Sequence, residues 1–133
     1  MMNRGLFIAL IGFVFLFSFY NYCIAGALED AKEALIKTGG AFSGVGAEIS
    51  GSQTILEIEK KSIEEMSKCK TCPQVPFGYS NKDWERFKAQ YREGDIILYF
   101  NTNHETWSSL MGSEGYALIR AKEVIDRIII KEN

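Results

Sequence analysis

The sequence predicts an α+β fold, with a small antiparallel sheet of three or more strands packed with two to four helices. Three observations predict it. Trp84, Phe87 and Tyr91 recur at helical spacing. Asp95 to Asn101 is a run of β-branched and aromatic residues bounded by Gly94 and a polar segment. Gly115 to Ala121 and Glu123 to Lys131 are two strand-like runs with too few residues between them for anything but a hairpin. The order helix, strand, short helix, strand, strand belongs to α+β domains rather than to parallel α/β ones. A chain of 133 residues has room for one modest core, burying roughly 65% of its unfolded surface.

The first 25 residues hold five of the nine Phe and one charge, Arg4. They read as a signal peptide: a basic start, an apolar run from Leu6 to Phe19, and small residues at Cys23 and Ala25 ahead of Gly26. The alternative is an uncleaved membrane anchor using residues 6–25, since extending the run to Leu28 reaches a bilayer's thickness of about 30 Å. A lipid-modified Cys23 fits poorly, because Tyr20 and Tyr22 stand where Leu and a small residue are needed. Each reading puts residues 26–133 outside the cytoplasm, periplasmic or secreted if cleaved and facing the periplasm from the inner membrane if anchored. Those residues carry 14 basic and 17 acidic side chains, a net charge of −3. This mild acidity offers no phosphate-binding footprint and argues against nucleic acid as a partner.

Residues 26–51 read as an N-terminal helix followed by a Gly-rich linker, and 52–133 as the α+β domain. Glu29 to Lys37 has helix-forming composition, with Leu28, Ala31, Leu35 and Ile36 on one side and Gly39-Gly40 as a stop. Five glycines between 39 and 51 predict a loop. Gln53 to Lys68 is ambiguous: residues 54–58 could form a strand, whereas Ser62 and Glu65 form a capping-box pattern for a helix from Ile63. Cys69 to Tyr79 holds both prolines and predicts a loop. Asn81 can cap a helix over Lys82 to Arg92, ended by Gly94. Thr102 and Glu105 form a second capping-box pattern, opening a short helix with Trp107, Leu110 and Met111 that Gly112 ends.

Both faces of the predicted sheet are apolar. Ile96, Leu98 and Phe100 oppose Ile97 and Tyr99, and Val124, Ile128 and Ile130 oppose Ile125 and Ile129. A strand with one wet face would alternate with polar residues. Either helices cover one face while Arg127 and Lys131 screen the other, or a second chain covers it. The second reading makes Ile125, Arg127, Ile129 and Lys131 an interaction surface for a protein partner or a homodimer.

Pro76-Phe77-Gly78, Trp84, Phe87, Gly94-Asp95, Tyr99, Trp107, Leu110-Met111-Gly112 and Gly115-Tyr116 resemble a group of small exported bacterial proteins of uncharacterised function. The resemblance covers residues 76–133 and implies an exported bacterial domain. It implies no activity, ligand or catalytic residue.

The chemistry-bearing residues are few. His104 is the one histidine, with Ser108 a turn later and Glu105 beside it, and a predicted helix start is a surface position. With Cys69 and Cys72 it would make three zinc ligands from separated segments, where zinc takes four, or three plus water. Neither a catalytic set nor a metal site is therefore expected. Gly44-Val45-Gly46 lacks the preceding strand and third glycine of a dinucleotide fingerprint, so no cofactor is expected. Cys69-Lys70-Thr71-Cys72 can be a redox pair, half a zinc site or a structural disulfide. No second ligand pair supports zinc. A redox pair belongs at a helix N-terminus, and this one follows a predicted helix, where the dipole disfavours thiolate. A disulfide formed after export fits best. The aromatics Trp84, Phe87, Tyr91, Tyr99, Phe100, Trp107 and Tyr116 could line a ligand site, but their spacing also fits core packing. The expected function is a small exported, non-catalytic binding or interaction protein. The alternative is an envelope thiol-disulfide protein using Cys69 and Cys72.

Overall fold

The computed structural model describes residues 4–133, and their side chains from Tyr20 onward. The elements in chain order are α1 (Arg4–Lys37), β1 (Glu48–Ser52), α2 (Ile55–Ser67), α3 (Asn81–Ala89), β2 (Ile96–Asn101), α4 (His104–Ser108), β3 (Ser113–Arg120) and β4 (Glu123–Glu132). Short 3-10 turns span Gly40–Phe42 and Gly78–Ser80. The four strands form one antiparallel sheet in the order β1-β2-β3-β4. The fold is α+β, as the segregated helix and strand signals predict.

Three layers explain the two apolar faces. On one face Ala31, Ala34 and Leu35 of α1 pack with Phe42 against Leu98, Phe100, Ala117 and Ile119. On the other, Ile58 of α2 and Trp84 and Phe87 of α3 pack against Ile97, Tyr116, Leu118 and Ile128. Helices of the chain thus pack on both faces, while Ile129 and Ile130 near the end of β4 stay exposed. The apolar run Leu6–Phe19 lies outside the residues whose side chains are described. The expected processing site, Cys23 to Gly26, lies within continuous helix with every residue exposed. Among the described residues no helix is long and apolar enough to cross a membrane.

Several boundaries differ from expectation for local reasons. Ile36 is exposed and Ala34 buried, because the sheet-facing stripe runs through 28, 31 and 35 and residue 36 is a third of a turn beyond it. Glu48–Ser52, expected within a loop, is an edge strand whose Ile49 joins the α1-side core. Its composition hides it, since three of its five residues are Gly or Ser. The start of α2 is capped by Thr54, not Ser62: the Thr54 hydroxyl accepts from the Glu57 N–H at 3.2 Å and the Glu57 carboxylate accepts from the Thr54 N–H at 2.8 Å. This capping box resolves residues 55–58 as helix. At α4 the cap is Asn103, whose Oδ1 accepts from the Thr106 N–H at 3.0 Å while its Nδ2 donates to the carbonyls of Gly40 and Ser43. Thr102 is buried and accepts from the Ser113 N–H. The α3 helix ends at Ala89, leaving Tyr91 exposed beyond the buried stripe. There the Gln90 carbonyl accepts from Arg120 Nη2 at 2.8 Å instead of continuing a helix.

Arg120 also holds Asp95 through two parallel bonds, Nε to Oδ1 at 2.8 Å and Nη2 to Oδ2 at 2.7 Å, clamping the α3–β2 turn to the end of β3. The Arg120 hydrogen bonds, aided by the Arg92 N–H, hold the Asp95 carboxyl below its ordinary value of 3.8. A carboxyl depressed in the folded state stabilises above its unfolded pKa, and that stability is lost as pH falls through the folded value. Wild type should therefore lose stability below about pH 4. Asp95→Asn should be less stable at neutral pH and show a shallower acid slope in urea melts.

The β3–β4 hairpin turns on Ala121 and Lys122, both left-handed at φ 46° and 66°. This is the two-residue primed turn that matches strand twist, and it normally holds Asn-Gly. Lys122→Gly should relieve that strain and raise stability by about 0.5–1 kcal/mol, read as a higher urea midpoint at unchanged m-value.

Candidate functional site

A cleft of about 310 Å³ opens between α2, the loop after it and the outer half of the sheet. Ser62, Met66 and Lys61 line it from α2, Phe77 from the loop, and Glu114, Tyr116 and Ile130 from β3 and β4. Its construction begins at Ser62. This side chain is buried in the middle of α2, and its Oγ accepts from the Phe77 N–H at 2.6 Å. That bond holds Phe77 in the left-handed conformation, φ 60°, and places its ring 5.0 Å from Trp84 and 6.0 Å from Tyr116.

The sequence between Ser62 and Phe77 is tied to itself. Cys69 and Cys72 are disulfide-bonded at the end of α2. The Gln74 amide donates to the carbonyls of Met66, Cys69 and Cys72, and the Tyr79 hydroxyl to that of Thr71. The pair sits at the C-terminal end of α2, where the Cys69 N–H still donates to the Met66 carbonyl. A thiolate there would face the negative end of the helix dipole.

On the sheet side Tyr99 and Tyr116 meet edge to face at 5.8 Å. The Tyr99 hydroxyl donates to Glu114 Oε1 at 2.9 Å, and Lys61 Nζ sits 5.4 Å from the Tyr99 ring centroid. Burial, then the hydrogen bond and charge of Glu114, push the Tyr99 phenol well above its ordinary value. Burial, then the Glu114 charge, push Tyr116 up as well. Tyr116 is 2% exposed, yet its hydroxyl has no hydrogen-bond partner among the described residues. The hydroxyl is not sealed in the core, and Tyr116 lines the cleft.

The residues expected to form an interaction surface do not share one face. β4 bulges against β3 between Leu118 and Ile119 and again between Glu114 and Gly115. The first bulge inserts Ile125 into the cluster around Trp84 and Phe87. Arg127 lies on the α1 side, 5.0 Å from the Phe42 ring centroid, with Nη2 donating to Thr38 Oγ1 and a buried Nε that has no partner among the described residues. Ile129 is exposed, and Lys131 sits over the Trp107 ring. Strict alternation puts 125, 127 and 129 together, and the bulge separates them. His104 is exposed, and the Ser108 hydroxyl donates to the His104 backbone carbonyl rather than to its ring. Among the described residues no group of three or more His, Cys, Asp or Glu is placed to hold a metal ion.

Of the aromatics read from the sequence, Trp84, Phe87 and Phe100 are core, Tyr116 lines the cleft, and Tyr99 packs beside it against the α2–α3-side core. Lys61, Ser62 and Glu114 carry no sequence signal for this role, because only the fold brings α2 to the β3–β4 edge. Ser62→Ala should cost about 1–3 kcal/mol by leaving the Phe77 N–H without a partner. It should also raise amide exchange at Phe77 and Gly78. With this geometry in hand, the comparisons add no relative: no family model, curated protein or solved structure matches the chain.

Proposed function

We propose that the chain is a small exported domain that binds a ligand in the cleft between α2 and the β3–β4 edge and does no chemistry of its own. The observation that carries the reading is that Tyr116 lines the cleft and its hydroxyl has no hydrogen-bond partner among the described residues. That hydroxyl is not sealed from water, so it is available to a ligand as donor or acceptor. The cleft also joins an apolar floor of Phe77, Met66 and Ile130 to a few polar groups, the composition of small-molecule sites. Export, to the periplasm or beyond, is supported by the basic, apolar and small-residue pattern of the first 25 residues and by a disulfide suited to oxidising compartments.

The alternative, a thiol-disulfide protein, is favoured by one observation: the bonded Cys69–Cys72 pair lies in a loop near the surface, each cysteine half-buried. A ligand-observed NMR screen with small aromatic and aliphatic polar compounds separates the two. Binding should appear with wild type and vanish in Ile130→Trp, which fills the cleft. Hits indifferent to that plug would refute the cleft reading. Insulin reduction by wild type, lost in Cys69→Ser/Cys72→Ser, would establish the alternative.

A further inference from the structure

We infer that the cleft takes the zwitterion of a single α-amino acid with a large apolar side chain; this rests on the cleft being the binding site. The cleft is lined by one cation, Lys61, and two carboxylates, Glu65 and Glu114, of which only Glu114 has no basic side chain within ion-pairing distance among the described residues. Lys61 has no carboxylate within ion-pairing distance among the described residues, its ammonium resting on the Tyr99 ring. Glu65, the neighbouring acid on α2, is engaged by Lys68 at 2.6 Å. Glu114 uses Oε1 to accept from Tyr99, and Oε2 has no partner among the described residues. Both charged groups interact with Tyr99, from different sides: Lys61 at the ring and Glu114 at the hydroxyl.

A simple anion would engage Lys61 and leave Glu114 unanswered, and a simple cation would do the reverse. A zwitterion answers both, with its carboxylate on Lys61 and its ammonium on Glu114. The Tyr116 hydroxyl can donate to the first or accept from the second. The apolar floor of Phe77, Tyr116 and Ile130 then receives the side chain. A volume of about 310 Å³ suits one amino acid rather than an extended peptide, since it is at the lower end of small-molecule sites.

The test is a 1H–15N shift titration of the full chain with L-phenylalanine and L-leucine. Phenylacetate, which lacks the ammonium, and phenethylamine, which lacks the carboxylate, are the controls. The amino acids should move the resonances of Lys61, Phe77, Glu114 and Tyr116. Each control, and each of the variants Lys61→Met and Glu114→Gln, should weaken binding about tenfold or more, as expected for a lost charge-assisted hydrogen bond. Gln at 114 keeps an acceptor for Tyr99, and an unchanged thermal midpoint verifies the fold. A control that binds as tightly as phenylalanine, or variants with wild-type affinity, would overturn the zwitterion and leave the cleft standing. If no probe shifts any cleft resonance, both the inference and the binding reading fall.

Discussion

Everything in this fold depends on β3 being buried on both faces. Tyr116 and Leu118 point to the α2–α3 layer, and Ala117 and Ile119 to α1, all at 3% exposure or less. Burying one such large apolar side chain stabilises by about 1.5–3 kcal/mol, so neither face can be left to water. Two layers of helix follow from that requirement. The last part of α1 is short of bulk, with Ala31 and Ala34 at its contact face. Those small residues let the helix sit close to the strands, where Phe42 and Phe100 meet edge to face at 5.3 Å and fill the space beside it.

The cleft exists because the α2–α3 layer and the sheet part company at one end. Trp84, Phe87 and Ile58 close the middle of that interface, and the Trp84 indole donates to Glu59, which Lys88 also holds. Those two bonds, Lys88 first, keep the Glu59 carboxyl below its ordinary range. Beyond them, β4 bulges at Ile130, opposite the junction of Glu114 and Gly115. A Cβ on Gly115 would lie 2.0 Å from the Ile128 carbonyl oxygen, so only glycine permits the strands to approach there. The bulge turns Ile130 into the cleft wall, and the Ser62–Phe77 bond sets the opposite wall. Tyr116 therefore lines the cleft, while the neighbouring Tyr99 hydroxyl is held by Glu114.

Where local and tertiary demands agree, the sequence was readable. β2, the β3–β4 hairpin and the Trp84–Phe87 stripe combine strong propensity with the right period, and their structure follows. The double apolar character of the sheet was also visible, but the element that covers the second face was not. Leu28, Ala31 and Leu35 make a modest stripe, and nothing in them names the sheet as partner. β1 escaped because an edge strand needs only one anchoring residue, here Ile49, and tolerates Ser and Gly elsewhere. The bulge at Ile125 escaped because it breaks the period of two on which any face assignment rests. The capping-box pattern at Ser62 misled: the same residue type serves inside α2 as the acceptor for a loop fifteen residues away. The cleft itself joins α2 to β3 and β4 across more than forty residues, and its polar members are individually ordinary.

The chain packs its own helices against both faces of the sheet, with β3 buried between them. Native-state amide hydrogen exchange along β3 tests it most directly. With helices docked on both sides, the amides of Tyr116 to Ile119 should be among the slowest in the protein. Their exchange should follow global unfolding, with the same denaturant dependence as the equilibrium transition. Fast exchange of these amides with weak denaturant dependence, in a protein still folded around Trp84, would mean that α1 leaves the sheet in the native state. That result would contradict the three-layer account.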